Sequence, residues 1–372
     1  MRVPVRRIAA QTRKELIQIA RDWRTLALAL VLPVVLLLLM SAALSLRVAN
    51  LPVVVQDLDS SPASRQFLDA FRTSISLRLV SWPVDRPPEE ALTSSAARAV
   101  LIIPAHFGRD VTRGVETPVQ FLVDASDANS ARLAAGYATR IARAYNLRAS
   151  GSQQSGPVQT AIRLWYNPGL SSKKFYGPGI FVLGLSMFPP LLAALAMAKE
   201  GEQKTILQVY VSSVPASEFL LGKILAFAVV ALAECLVMMS LLFTYFDLSF
   251  AGDPTPFIVG TILYAFCVAA FGTMVGAAIP NQAAAMQAVA VGGFLLVFLL
   301  SGLIYPIENI PAGVRWISHF IWGRYYIEVV RDALLQGGGW PAVWHKVAII
   351  ALTGSIFYTA AWRVMRRMQL RT

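Results

Sequence analysis

The apolar stretches of this chain are unevenly spaced: one runs from Leu26 to Leu46, and five more crowd between Phe175 and Trp362. A bilayer core of roughly 30 Å takes about 20 apolar residues in helical form, and Leu26 to Leu46 contains no charged residue. That run reads as a transmembrane helix. Residues 48–172 are polar by contrast, rich in charge, and long enough to fold by themselves. The remaining spans are expected near Phe175 to Ala198, Phe219 to Phe246, Phe257 to Ile279, Ala283 to Ile304 and Val347 to Trp362. The expected fold class is a membrane α-helical bundle of six transmembrane helices with an inserted extracytoplasmic α/β domain.

Composition agrees with that class. The chain is 56% hydrophobic and 15% charged, with a mean hydropathy of +0.56, too apolar for a soluble protein of 372 residues. Its net charge of +12 raises nucleic acid as a partner. The basic residues, however, bracket membrane segments and form no single aromatic-bearing patch, which argues against nucleic acid. Arg2, Arg6, Arg7, Arg13, Lys14, Arg21 and Arg24 precede the first span against only Glu15 and Asp22. The tail, residues 364–372, adds Arg366, Arg367 and Arg371 just after Arg363, with no acid. Both ends are therefore expected in the cytoplasm. The acidic loop Asp247 to Pro256 suits the outer side, and a long domain crosses regardless of its charge. The first apolar run is about twice the length of a signal-peptide core, and Ser45-Leu46-Arg47 is a poor cleavage site. Cys235 and Cys267 both fall inside spans and imply no disulfide framework.

The soluble domain alternates strand and helix. Pro52 to Gln56 is a β-branched run, and Ser60-Ser61-Pro62 then opens a helix through Arg72 with a Ser cap and a Pro in its first turn. Strands are expected at Leu77 to Val80, Arg98 to Ile103 and Val119 to Val123, with short helices at Glu89 to Ser94 and His106 to Arg113. A long helix follows from Asn129 to Leu147. Beyond a Gly/Ser/Gln-rich linker at Ser150 to Gly156 comes a last strand, Val158 to Tyr166.

Asp57, Asp59, Asp124 and Asp127 invite a paired-carboxylate or metal site. Each pair sits at a strand end just ahead of a helix, where Asp and Ser act as turn and cap residues, and capping is the preferred reading. His106 has no Cys or second His near it in sequence, so zinc has little support. Gly222-Lys223 lacks the first Gly and the Ser or Thr of a phosphate loop, so ATP hydrolysis by this chain is not expected. No catalytic, cofactor or metal residues are assigned.

Residues 1–25 form an amphipathic helix. Thr12, Leu16, Ile19, Ala20 and Trp23 share a face, suited equally to a headgroup layer or to a protein partner. Within the third span, Glu234 is a costly intramembrane acid with three open roles: contact with cargo, proton transfer, or a structural hydrogen bond. Pro189-Pro190 should kink the second span. Residues 306–339 are too amphipathic for another span. Arg324, Glu328, Arg331 and Asp332 stand there at helical pair spacing, and Trp316, Trp322, Trp340 and Trp344 suit an interface belt.

The segments Arg13-Lys14-Glu15-Leu16 with Arg21-Asp22-Trp23-Arg24, Val55 to Arg65, and Val123 to Ala131 resemble those of permease subunits of type-2 ABC exporters, in the branch with a large domain after the first span. So do Glu200-Gly201-Glu202-Gln203-Lys204-Thr205-Ile206 with Val214 to Lys223, and Ser301 to Pro311. The resemblance spans the whole chain in order. One departure is Gln203-Lys204-Thr205, where the family usually has Arg-Gly-Thr.

The resemblance implies a permease that docks a separate ATPase subunit, which holds the ATP and magnesium, while this chain binds no cofactor. The contact residues implied are Glu200, Gly201, Glu202, Lys204 and Thr205, with Arg13, Lys14 and Glu15 from the N-terminal helix. Segment 306–339 is implied to form re-entrant helices, with Tyr305, Pro306, Glu308 and Asn309 as candidate outer-gate residues. Glu234 is the candidate pathway residue. A second permease chain, either identical or a sister, a periplasmic adaptor protein and membrane lipids are the other partners, in a bacterial inner membrane. Cargo would be lipophilic or amphipathic, a drug or lipid. Two rivals remain at this level: an ion-coupled secondary transporter, and a non-transporting receptor with a ligand-binding outside domain.

Overall fold

A computed structural model describes residues 2–43, 51–74, 77–83, 86–94, 96–124, 128–149, 172–205, 214–303, 307 and 310–369. The chain divides into two compact units, Met1–Ser45 with Leu164–Thr372, and Leu46–Arg163. The first unit opens with α1 (Arg2–Arg21), followed after Asp22 by α2 (Trp23–Ala43). On α1 the residues turned inward are Ile8, Gln11, Thr12, Glu15, Leu16 and Ile19, at helical spacing, with Glu15 the most deeply buried. Ala20 and Trp23, expected on that stripe, are exposed, Trp23 at 68%. The docking face is rotated toward Gln11 and Glu15 because these polar groups find partners inside the bundle.

The second unit is an open sheet with helices. β1 (Leu51–Asp57) leads to α3 (Pro62–Arg72) and β2 (Leu77–Val80), then α4 (Glu90–Thr93), β3 (Ala99–Ile103), α5 (Phe107–Thr112), β4 (Gln120–Val123) and α6 (Ala128–Ala149). Strand order is β2-β1-β3-β4, with β1 parallel to β2 and β3, and β4 antiparallel to β3. Successive side chains alternate faces. Leu51, Val53, Leu101 and Ile103 meet Phe67, Phe71, Phe107 and Tyr145 on one face, while Val54 and Val100 meet Ala91 and Ala97 on the other.

The acidic residues of this unit tie its turns. Asp57 accepts from the amides of Asp59 and Ser60 and from the Ser64 hydroxyl, and Ser61 caps α3. Asp59 accepts from the Gly108 amide at 2.9 Å. The Ser61 hydroxyl, then the Gly108 amide, hold the Asp59 carboxyl below its usual range. Asp124 pairs with Arg98. Asp127, the linker from Ser150 and the strand expected at Val158 to Tyr166 lie outside the described residues.

The first unit resumes with α7 (Ser172–Glu202), α8 (Ala216–Thr244) and α9 (Thr255–Ala278). Then come α10 (Gln282–Val289), a π-helical segment (Ala290–Leu295) and α11 (Leu296–Leu300). After these stand α12 (Ala312–Arg315), a 3-10 turn (Trp316–Phe320), α13 (Trp322–Arg331), a second π segment (Asp332–Gln336) and α14 (Trp340–Gln369). Five stretches are long and apolar enough to cross a membrane among the described residues: Lys174–Glu202, Ala216–Thr244, Thr255–Ala278, Gln282–Leu300 and Trp340–Arg366. In α2 the apolar part is the shorter Ala29–Ala42. The chain is thus a helical membrane protein. The last helix starts at Trp340, well before the expected Val347, because the polar and aromatic turn through Trp344, His345 and Lys346 continues the helix beyond its apolar stretch.

Glycines set the helix spacing. A Cβ at Gly272 would lie 2.1 Å from the carbonyl oxygen of Pro190, and one at Gly276 would lie 2.4 Å from that of Ala194. Backbone of α9 therefore rests directly on backbone of α7, as small residues allow between membrane helices. Pro178, Pro189 and Pro190 all lie inside α7. Above this contact Tyr264 and Tyr326 stack at 3.9 Å, and their hydroxyls pair with Ser186 and Thr261 respectively. This buries one face of α13 in the bundle. Trp322 goes with it, 5% exposed against Phe271 and Phe357, while Trp316, Trp340 and Trp344 stay exposed. Trp322 is thus a bundle residue and not a belt residue, because it shares the buried face with Tyr326.

Candidate functional site

At one end of the bundle, α1 lies across the start of α8. The approach is possible because residue 222 is glycine: a Cβ there would stand 2.7 Å from the Gln11 Cβ and 3.1 Å from the Ile8 carbonyl. Thr12 donates its hydroxyl proton to the Gly222 carbonyl at 3.0 Å. The next residue, Lys223, is 1% exposed, and its ammonium donates to Glu15 Oε2 at 3.0 Å and to Glu200 Oε1 at 3.1 Å. One buried cation thus joins α1, the end of α7 and the start of α8.

Lys14 completes the cluster from the surface, 3.2 Å from Glu15 and 3.6 Å from Glu200, and Gln11 adds a hydrogen bond to Glu15 at 2.9 Å. Partial burial works against the Lys14 ammonium, but Glu15 and then Glu200 outweigh it and hold its pKa above the usual lysine value. Two ammonium groups face two carboxylates, so the cluster is neutral as a whole. Buried charge is tolerated only on such terms.

Two residues further along α7, Glu202 faces a different neighbour. It accepts from Asn281 Nδ2 at 3.2 Å and from Gln282 Nε2, while a Cβ at Gly201 would stand 2.8 Å from the Pro280 Cβ. Asn281 also caps α10 through its side-chain oxygen. Past Glu202 the chain turns over: Lys204 has φ +57°, a left-handed conformation that favours glycine. That gives a physical reason for the glycine usual in the resembling family's Arg-Gly-Thr.

Of the residues singled out from the sequence, Glu15, Lys14 and Glu200 come together, with Glu15 turned inward. Arg13, Glu202, Lys204 and Thr205 are exposed. Glu234 is 1% exposed within α8, and neither of its carboxyl oxygens has a hydrogen-bond partner among the described residues. Tyr305, Pro306, Glu308 and Asn309 lie outside the described residues, as does loop 206–213. Sequence reasoning missed the hub itself. The available signal was a lysine inside an apolar helix, which must find a carboxylate, and a Glu15 four residues from Gln11 on one face of α1.

Apolar helices packed backbone to backbone, with a charged joint where the N-terminal helix meets two of them, define the class: a polytopic membrane protein. The chain belongs to the ABC-2 family of transporter proteins, whose family model matches residues 23–363. It is 27% identical over 369 residues to the probable multidrug ABC transporter permease YbhR of Escherichia coli K12, covering 95% of this chain and 97% of that one. It is 24% identical to the probable multidrug ABC transporter permease YbhS of the same organism, covering 97% of each. Over 314 residues, 83% of each chain, it is 24% identical to the inner membrane transport permease YhhJ. The protein is thus a permease subunit of an ABC transporter, not itself catalytic, and its family implies an ABC ATPase partner.

Proposed function

We propose that this permease serves an ATP-driven exporter of lipophilic or amphipathic compounds, drugs or lipids, from a bacterial inner membrane. The multidrug names of its relatives support the cargo class. The observation that carries the mechanism is the buried Lys223 cluster. It makes α1 and the ends of α7 and α8 one body, so that a force on any of them tilts helices instead of bending a loop.

In this reading the α1 end faces the cytoplasm and docks the ATPase, which holds ATP and magnesium, while this chain holds no cofactor. Arg13, Lys204, Thr205 and loop 206–213 meet the partner, and Glu15 and Glu200 brace that surface from behind. Two permease chains pair around the pathway, α2 is the first of six spans, and unit Leu46–Arg163 lies outside the cytoplasm, where a periplasmic adaptor can reach it. Segment 306–339 closes the outer side near Tyr305, Pro306, Glu308 and Asn309. Glu234 meets cargo only when α8 parts from its neighbours, since its carboxyl is enclosed in this conformation.

Reversing exposed charges at Arg13→Glu and Lys204→Glu should lower the amount of ATPase co-purified with the permease roughly tenfold, the equivalent of about 1.4 kcal/mol, at unchanged permease yield. Undiminished co-purification with normal ATP-dependent transport would reject this docking surface. Orientation is read separately at Glu116, an exposed loop residue, in a chain whose native cysteines 235 and 267 are buried. A cysteine at Glu116 should react with a membrane-impermeant maleimide on intact spheroplasts. Reaction only after the inner membrane is opened would invert the topology.

A further inference from the structure

The end of α7 is gripped twice, at Glu200 and at Glu202. Residues two apart on a helix point to nearly opposite sides. Glu200 therefore faces Lys223 and α1, while Glu202 faces Asn281 and Gln282 at the start of α10. Between them Gly201 lies against Pro280. The connection from α9 to α10 is only Ile279-Pro280-Asn281. Proline restricts its φ, and the Asn281 cap ties its far end to α10. Such a connection transmits displacement and absorbs little of it.

Downstream, α10 leads into the π segment Ala290–Leu295, which contains Gly292 and Gly293. Gly293 sits on the Ser186 carbonyl of α7, 2.7 Å from where its Cβ would be, and Gly292 on the ring of Phe271. Proline at 190 has no amide proton, so the Ser186 carbonyl has no ordinary helical donor four residues on. A span held to α7 at its start and again at Gly293, with Gly292 against Phe271 of α9, has one obvious place to bend, the π turn that contains both glycines. Such turns are local departures from α-helical bonding that recur at functional sites. Between the two holds α10 packs on α7 through a narrow face, with only Ala285 and Val289 buried.

We propose that Glu202, with Asn281 and Gln282, forms a second transmission joint, which carries displacement of the α7 end into α10 and bends that span at Ala290–Leu295. The joint rests on the reading that an ATPase docks near the α7–α8 loop. It adds a separate route for the motion: the Lys223 cluster drives α1 and α8, and the Glu202 joint drives α10 and α11.

The test uses the full permease–ATPase complex in nanodiscs, with spin labels on cysteines placed at two exposed positions, Leu299 in α11 and Leu352 in α14. The unmodified joint should show a label-to-label distance that differs between the nucleotide-free and ATP-bound complex. N281S/Q282A keeps a capping side chain at 281 but removes both amide donors, and should at least halve that difference with ATPase association unchanged. Q282K, which still donates to Glu202, should retain it, whereas Q282E, which repels Glu202, should lose it. The joint requires this order in the distance change at equal permease yield and equal ATPase association. A full distance change in N281S/Q282A with ATPase bound overturns the joint, as does the absence of any change in the parent complex. Loss of ATPase from N281S/Q282A would also overturn it, by making these residues part of the docking surface. Failure of the docking reading shows differently: undiminished ATPase on R13E/K204E, measured in the same preparations.

Discussion

Replacing Lys223 by methionine is expected to destabilise the solubilised permease by about 3–5 kcal/mol, the cost of removing one partner from a buried ionic cluster. The side chain volume is nearly kept, so the loss is electrostatic: Glu15 and Glu200 are left facing each other with only the surface ammonium of Lys14 between them. The apparent melting temperature in detergent should fall, and α1 should become the first site of limited proteolysis. Adding Glu15→Gln to Lys223→Met should recover part of the loss, because it removes one of the two stranded charges. The two changes share partners and will not add. A wild-type melting temperature in Lys223→Met would mean that the cluster contributes nothing to holding α1.

A single methyl group at Gly272 should have an effect of similar size. Its Cβ would fall 2.1 Å from the Pro190 carbonyl oxygen and 2.7 Å from both the carbonyl carbon and the Cα of that residue. All three atoms are backbone, so no rotamer change relieves the clash and α9 must shift from α7. Overpacking typically costs about 1–3 kcal/mol and more where nothing can give, and Gly272→Ala belongs at or above the top of that range. Its readout is the yield of monodisperse protein after mild heating. Gly136→Ala is the control: nothing lies within 4 Å of its Cβ position in α6, so the better helix former should gain up to about 1 kcal/mol. Equal behaviour of the two variants would contradict the close contact at Gly272.

What could be read from the sequence was what neighbouring residues determine. Val53-Val54-Val55 announces a strand, and Ser61 with Pro62 announces the start of α3. The five long apolar helices follow from hydropathy alone. What could not be read depends on partners distant in sequence. Gln11 and Glu15 look like outward residues of α1 until Lys223 is brought beside them. Glu202 looks like a free surface acid until the turn at Pro280 delivers Asn281 and Gln282. The last helix outran its apolar core because aromatic and basic residues extend a helix at an interface as well as apolar ones do. The π segments have no local pattern that marks them. In the sequence Lys204 is only a departure from the family's usual Arg-Gly-Thr, and its positive φ supplies the reason that position is usually glycine.

The bond between Glu15 and Lys223 closes a loop of 208 residues, and that sets an order of events during synthesis. At about 5–20 residues per second, α1 leaves the ribosome roughly 10–40 s before its buried cation exists. In that interval its carboxylate cannot be enclosed, and the helix can only rest in water or among lipid headgroups. A helix made before α8 is thus seated only after α8 has been inserted, and the arrival of Lys223 is the step that turns a floating helix into a structural member of the permease.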